Sequence, residues 1–152
     1  MADVQNRRTR TRPDPAPIAD IRKLWQRARE ETGGLSDLAK PEDILNWARM
    51  IGRDMEEWDL RCPQFRRVLR ELKCIEAMVR KRNLKEPLAE EFLMEIVFLR
   101  PYMTYAARRY PRLRLLRRFL DHCLDPAVLK TGRDLVYLVK FLDAVVAYVY
   151  QS

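Results

Sequence analysis

The last stretch of the chain, Asp134 to Tyr150, is apolar nearly all round and is broken chiefly by Lys140 and Asp143. A helix without a polar face must be enclosed, either by the other helices of its own chain or by another subunit. Leu135, Leu138, Val139, Leu142, Val145, Val146 and Val149 are its candidate core positions. The upstream chain must then supply amphipathic elements that wrap it, and these are legible as helices. Ile18, Ile21, Leu24, Trp25 and Ala28 recur at helical spacing up to about Thr32, where Gly33 and Gly34 supply a stop. Pro41, followed by Glu42 and Asp43, starts a second helix predicted to reach Trp58, with Ile44, Leu45, Trp47, Ala48, Ile51, Met55 and Trp58 inward.

Pro63 opens a third helix, predicted to run to Arg82. Pro87 opens a fourth, with Leu88, Phe92, Ile96, Leu99 and Met103 as its buried line. Pro101 offers no N–H to the Val97 carbonyl, so a kink or break is expected there. A short fifth helix runs from Pro111 to Cys123, and Asp125 with Pro126 begins a turn. With only 4 Gly, 34% charged residues and no run that alternates polar with apolar, the chain reads as all-α. The expected architecture is a single compact bundle of five to six helices over residues 18–152. Residues 1–17 carry Arg7, Arg8, Arg10 and Arg12 among three prolines, with almost nothing apolar, and read as a disordered basic tail.

Charge narrows the function. The formal net charge is +8, which favours a polyanionic partner. It is also segregated: residues 61–85 sum to +7, and residues 100–118 sum to +7 with seven arginines and no carboxylate. On the third helix Arg66, Arg70, Lys73, Arg80 and Lys81 share one stripe around Ala77, apart from the apolar sector of Phe65, Leu69, Leu72, Ile75 and Val79. A small residue at the centre of a cationic stripe lets a phosphate backbone come close. In the second block Arg100, Arg108 and Arg109 stand among Leu99, Tyr102, Met103 and Tyr105, so the segment anchors in a core while presenting planar guanidinium forks suited to phosphate. A solvated helix face is the alternative for both blocks, and Tyr102 and Tyr105 read equally as base-stacking or core residues.

Cys62, Cys74 and Cys123 are odd in number and widely spaced, without a metal-ligand pattern, and the sole histidine, His122, has no evident catalytic partners. No catalytic residue, metal or cofactor is therefore expected, and no small-molecule substrate. A small basic nuclease would need an acid cluster that the basic blocks do not offer. There is neither an apolar signal core nor a run of membrane-spanning length, so no membrane partner is expected and a reducing cytoplasm is the expected location.

Three short patterns, in order, carry a family resemblance. Pro63-Gln64-Phe65-Arg66-Arg67 looks like a Ser-Gln-Ile-Arg-Lys helix start. The run from Leu99 to Arg109, LRPYMTYAARR, is similar to Leu-Lys-Pro-Lys-Leu-Ala-Tyr-Ala-Ala-Gly-Arg. Asp143 to Tyr148, DAVVAY, looks like a terminal Glu-Ala-Ile-Val-Ala-Tyr. Together they resemble the small subunit of the type III-A CRISPR-Cas effector, the Csm complex. Pro63 stands where that pattern has Ser, Arg108 where it has Gly, and Asp143 where it has Glu. The resemblance implies a non-catalytic α-helical subunit, present in more than one copy, lying along guide RNA and target RNA and packed against other effector subunits. By match, Arg66, Arg67 and Arg109 are expected to face RNA; the charge pattern adds Arg70, Lys73, Arg80, Lys81, Arg100 and Arg108. A helical DNA-binding regulator is the competing class, although the turn that would present a reading helix is not evident.

Overall fold

A computed structural model describes residues 16–38, 40–54, 60 and 62–149. The expected basic tail up to residue 15, the end of the second helix with Met55 and Trp58, and Tyr150 lie outside the described residues, whereas Ala16 and Pro17, expected in the tail, open the first helix. Among those described, every regular element is helical: α1 (Ala16–Arg27), α2 (Leu35–Leu38), α3 (Pro41–Asp54), α4 (Pro63–Arg80), α5 (Glu90–Val97), α6 (Leu99–Arg109), α7 (Arg114–Cys123) and α8 (Gly132–Val149). The all-α expectation holds.

Helix α8 is the centre, as its composition requires. Leu135, Leu138, Val139, Phe141, Leu142, Val145 and Val149 are buried, and α3 and α4 pack along it. A Cβ at Gly52 would stand 2.6 Å from Tyr148 Cβ, so α3 and α8 approach more closely there than a side chain would allow. From the opposite end of the sequence, Trp25 of α1 reaches the same helix. Its ring lies 5.6 Å from that of Phe141, Phe119 of α7 lies 6.3 Å from Phe141, and the Trp25 Nε1–H donates to the Cys123 carbonyl at 3.3 Å. The indole thus buries its apolar body without leaving its donor unpaired.

Helix ends follow local chemistry. Helix α1 continues as a π-helical turn over Ala28–Thr32, and Gly33, at φ 87°, closes it by donating its N–H to the Ala28 carbonyl. Asp43 accepts a hydrogen bond from the Lys40 N–H at 2.9 Å, so the acid expected to favour the start of α3 satisfies a backbone donor there. Asp134 is buried at the start of α8 and nevertheless fully employed. One of its oxygens accepts from the Ser36 N–H at 2.7 Å and Ser36 Oγ at 2.5 Å, and the other from the Lys130 and Thr131 N–H groups at 2.8 and 2.9 Å. Four donors on one carboxylate fasten α2 to the head of the central helix.

Several expected boundaries move. The fourth helix begins at Glu90 rather than Pro87, because Pro87 pairs as an antiparallel bridge with Thr131 and the Leu88 N–H donates to the Lys130 carbonyl at 2.9 Å. Helix α4 stops at Arg80 instead of Arg82. The break expected from Pro101 falls at Phe98, since the group deprived of its partner is the Val97 carbonyl one turn earlier. On α4 the buried residue is Val68, with Leu69 at the rim, and on α3 Leu45 is exposed rather than inward.

Candidate nucleic-acid interface

Of the nine positions proposed from sequence, Arg66, Arg70, Lys73, Arg100 and Arg108 fall on two surfaces, and Arg67, Arg80, Lys81 and Arg109 do not. The first is a shallow groove on α4, where Arg66, Leu69, Arg70, Lys73, Cys74 and Ala77 enclose about 390 Å³. Arg66, Arg70 and Lys73 follow the helical repeat, so the stripe read from the sequence exists as a surface, with Ala77 in its floor. Its members differ in availability. Among the described residues Arg66 and Arg70 make no ion pair, whereas Lys73 Nζ lies 2.9 Å from Asp143 of α8. Asp143 therefore turns to α4, not to Lys140 or to an arginine of the second block, and it fixes α4 against α8 while muting one cation.

Arg80 and Lys81 do not join this groove. Arg80 is held by Glu76 one turn earlier at 3.3 Å, and Lys81 follows the helix end. Arg67, expected from the resemblance to face RNA, lies off the stripe: its guanidinium lies over the ring of Tyr102 at 4.8 Å. That contact joins the two basic blocks and covers one face of Tyr102, which is half-buried.

The second surface lies between α6 and α7. These helices meet at a corner made by Tyr110 and the 3₁₀ turn Pro111–Leu113, with Leu113 buried as its pivot. Folding back at that corner sets Arg114, Arg117 and Arg118 of α7 around Thr104, Ala107 and Arg108 of α6, in a depression of about 400 Å³. Arg100 joins from the start of α6. It shares Asp121 with Arg117, at 3.6 and 3.0 Å respectively, so one carboxylate serves two guanidinium groups. Among the described residues Arg108 and Arg114 make no ion pair. Arg109 points elsewhere, over the Tyr110 ring at 5.6 Å, with Arg112 at 5.7 Å from the same ring.

A sequence model of the family described as Csm2 Type III-A matches residues 39–150. The chain belongs to the Csm2 type III-A family. It is thus a small subunit of the type III-A CRISPR effector complex. No curated protein and no solved structure matches it. The family match covers both basic surfaces, together with α3 and the central helix α8.

The described residues hold no group of His, Cys, Asp and Glu able to bind a metal ion, and no helix long and apolar enough to cross a membrane. Cys62, Cys74 and Cys123 form no disulfide among the described residues; Cys62 and Cys123 are buried, and burial pushes the Cys123 thiol well above its ordinary range. The arginine-rich stretch read as phosphate-binding from the sequence includes Arg114, Arg117 and Arg118, although only Arg100, Arg108 and Arg109 are named as site positions within it; the structure brings the other three into the cleft. Their i, i+3, i+4 spacing was the available signal, because it sets all three on one face of a helix. What it did not reveal was that this face turns toward Arg108.

Proposed function

We propose that this subunit binds guide RNA and target RNA within its effector complex by neutralising phosphates, with no catalytic part of its own. The observation that carries this reading is the ring of guanidinium groups from Arg108, Arg114, Arg117 and Arg118 around a floor of Thr104 and Ala107. Small floor residues leave room for a phosphate, and arginine forks present paired donors to its oxygens. The α4 groove repeats the design with Arg66, Arg70 and Lys73 around Ala77. Neither surface presents a pattern of base-reading side chains in a groove-fitting helix, so recognition rests on charge and is weakly dependent on sequence. Exposed Leu45 and Met50 on α3 support packing against other subunits or further copies of the chain on a different face.

Fluorescence anisotropy with labelled RNA at 50 and 200 mM salt tests the reading. Binding should weaken steeply with salt, and replacing Arg66, Arg70 and Lys73 with Ala should flatten the dependence while helical circular dichroism stays the same. The reduction in log–log slope should be about 2 rather than 3, because Lys73 is already engaged by Asp143. Unaltered affinity in the folded triple variant rejects the α4 groove as a contact. Incubation of the purified subunit with RNA or DNA and divalent metal should leave both polymers intact; cleavage that disappears with His122→Ala would overturn the non-catalytic assignment.

A further inference from the structure

The cleft between α6 and α7 has a second wall that phosphate neutralisation does not require. Phe98, at the break between α5 and α6, and Tyr105, two turns further on, are each 67% exposed, and both line a cavity of about 590 Å³ floored by Val97 and Pro101. Arg100, Arg108 and Arg117 line the same cavity, where Asp121 is the single carboxylate and pairs with Arg100 and Arg117. Bare aromatic rings beside three arginines and one carboxylate suit a ligand that is both planar and anionic. An acidic peptide answers the charge but leaves the rings without planar partners.

We infer that this cleft holds unpaired nucleotides, with bases stacked on Phe98 and Tyr105 and a phosphate at Arg108. The inference rests on the RNA-binding reading above and adds to it a preference for single strands. Bases inside a duplex already stack on their neighbours and do not offer their faces, whereas an unpaired base gains a stacking partner at each exposed ring. Arg108 is the phosphate anchor because Arg100 and Arg117 share Asp121 while Arg108 makes no ion pair among the described residues. Tyr102 is excluded from this platform, since the Arg67 guanidinium lies over its ring.

The test uses the full chain, a single-stranded RNA carrying 2-aminopurine, and a blunt RNA duplex. The parent protein should quench the 2-aminopurine emission. Phe98→Ser combined with Tyr105→Ser should abolish the quenching and lower single-strand affinity tenfold or more, leaving duplex affinity within about twofold and the thermal midpoint unchanged, because neither ring is in the core. Phe98→Tyr with Tyr105→Phe should restore the quenching. Equal loss for single strand and duplex in the serine variant overturns the inference. So does a serine variant that binds and quenches like the parent but no longer enters the effector complex, which would make the rings a protein-docking surface. Salt-sensitive binding of both RNAs without quenching removes this inference and leaves the electrostatic reading standing, whereas no binding of either RNA removes both.

Discussion

The α4 groove and the α6–α7 cleft carry the same kind of charge and are built in different ways. Arg66, Arg70, Lys73 and Ala77 belong to one helix, and the helical repeat alone sets them side by side. Arg108, Arg114 and Arg117 belong to two helices and meet only because the chain turns at Pro111 with Leu113 buried beneath. The first surface survives anything that leaves α4 helical; the second depends on the angle of a corner. The two also differ in how an acid mutes them. Asp143 reaches Lys73 from the central helix, and so ties the groove to the core, while Asp121 sits within the cleft and is divided between two arginines. A surface on one helix is therefore modest and robust, and a surface between helices gathers more charge, here beside the exposed rings of Phe98 and Tyr105.

The most severe way to break the comparison is to remove what both surfaces share. Truncation before Asp134 deletes α8, against which α4 packs and on which Phe119 of α7 rests. Cooperative thermal unfolding and entry into the effector complex should be lost together. The milder Leu142→Ala, at a fully buried site, should lower stability by about 2–5 kcal/mol as measured by urea unfolding. A truncated chain that still melts cooperatively would show that the two surfaces stand without a common support.

A smaller and more selective effect comes from removing the uncompensated cations of each surface. Arg66→Ala with Arg70→Ala, and separately Arg108→Ala with Arg114→Ala, should each make RNA affinity about tenfold less sensitive to a change from 50 to 200 mM salt. The quadruple variant should show the sum of the two, since the pairs lie on separate surfaces. Should one pair leave the salt slope unaltered, that surface does not contact RNA and the comparison reduces to a single site.

Releasing the muted cations sharpens the contrast further. Asp143→Asn should free Lys73, and Asp121→Asn should free Arg100 and Arg117, each raising RNA affinity a few-fold at low salt, with the effect vanishing as salt rises. All three ion pairs are partly exposed, so the unfolding free energies from urea titration should change by less than about 1 kcal/mol. The smallest effect is a rate. Cys74 is exposed in the α4 groove, while Cys62 and Cys123 are buried, so iodoacetamide should label Cys74 alone in the native protein, and RNA bound in that groove should slow the labelling. Labelling that RNA does not slow would place the bound RNA on the α6–α7 cleft alone.

Much of the fold was legible because it follows from local rules. The stop at Gly33, the starts at Pro41 and Pro63, the all-round apolar character of α8 and the α4 stripe are each decided within one or two turns of chain. The misplaced features involve partners distant in sequence. Pro87 looks like a helix start until Thr131 pairs with it, and Asp143 finds Lys73 only because α4 packs beside α8. The candidate site divides in the same way. Arg66 and Arg70 follow from periodicity within one helix, whereas Arg114 and Arg117, two of the seven arginines of the second block, take their place in the site only by facing another helix.

By itself, then, the sequence determined that this chain is all-helical, that its last helix must be enclosed and that two segments carry concentrated positive charge. Hydrophobic periodicity and charge are properties of neighbours along the chain, which the 3.6-residue repeat converts directly into faces. Tertiary structure alone decided which cations are engaged, with Lys73 on Asp143, Arg67 on Tyr102, and Arg100 with Arg117 on Asp121. It also decided that Phe98 and Tyr105 remain bare beside Arg108. Those outcomes depend on how helices separated by loops come to rest against one another, and a side chain's partner is set by that packing rather than by its own neighbours in sequence.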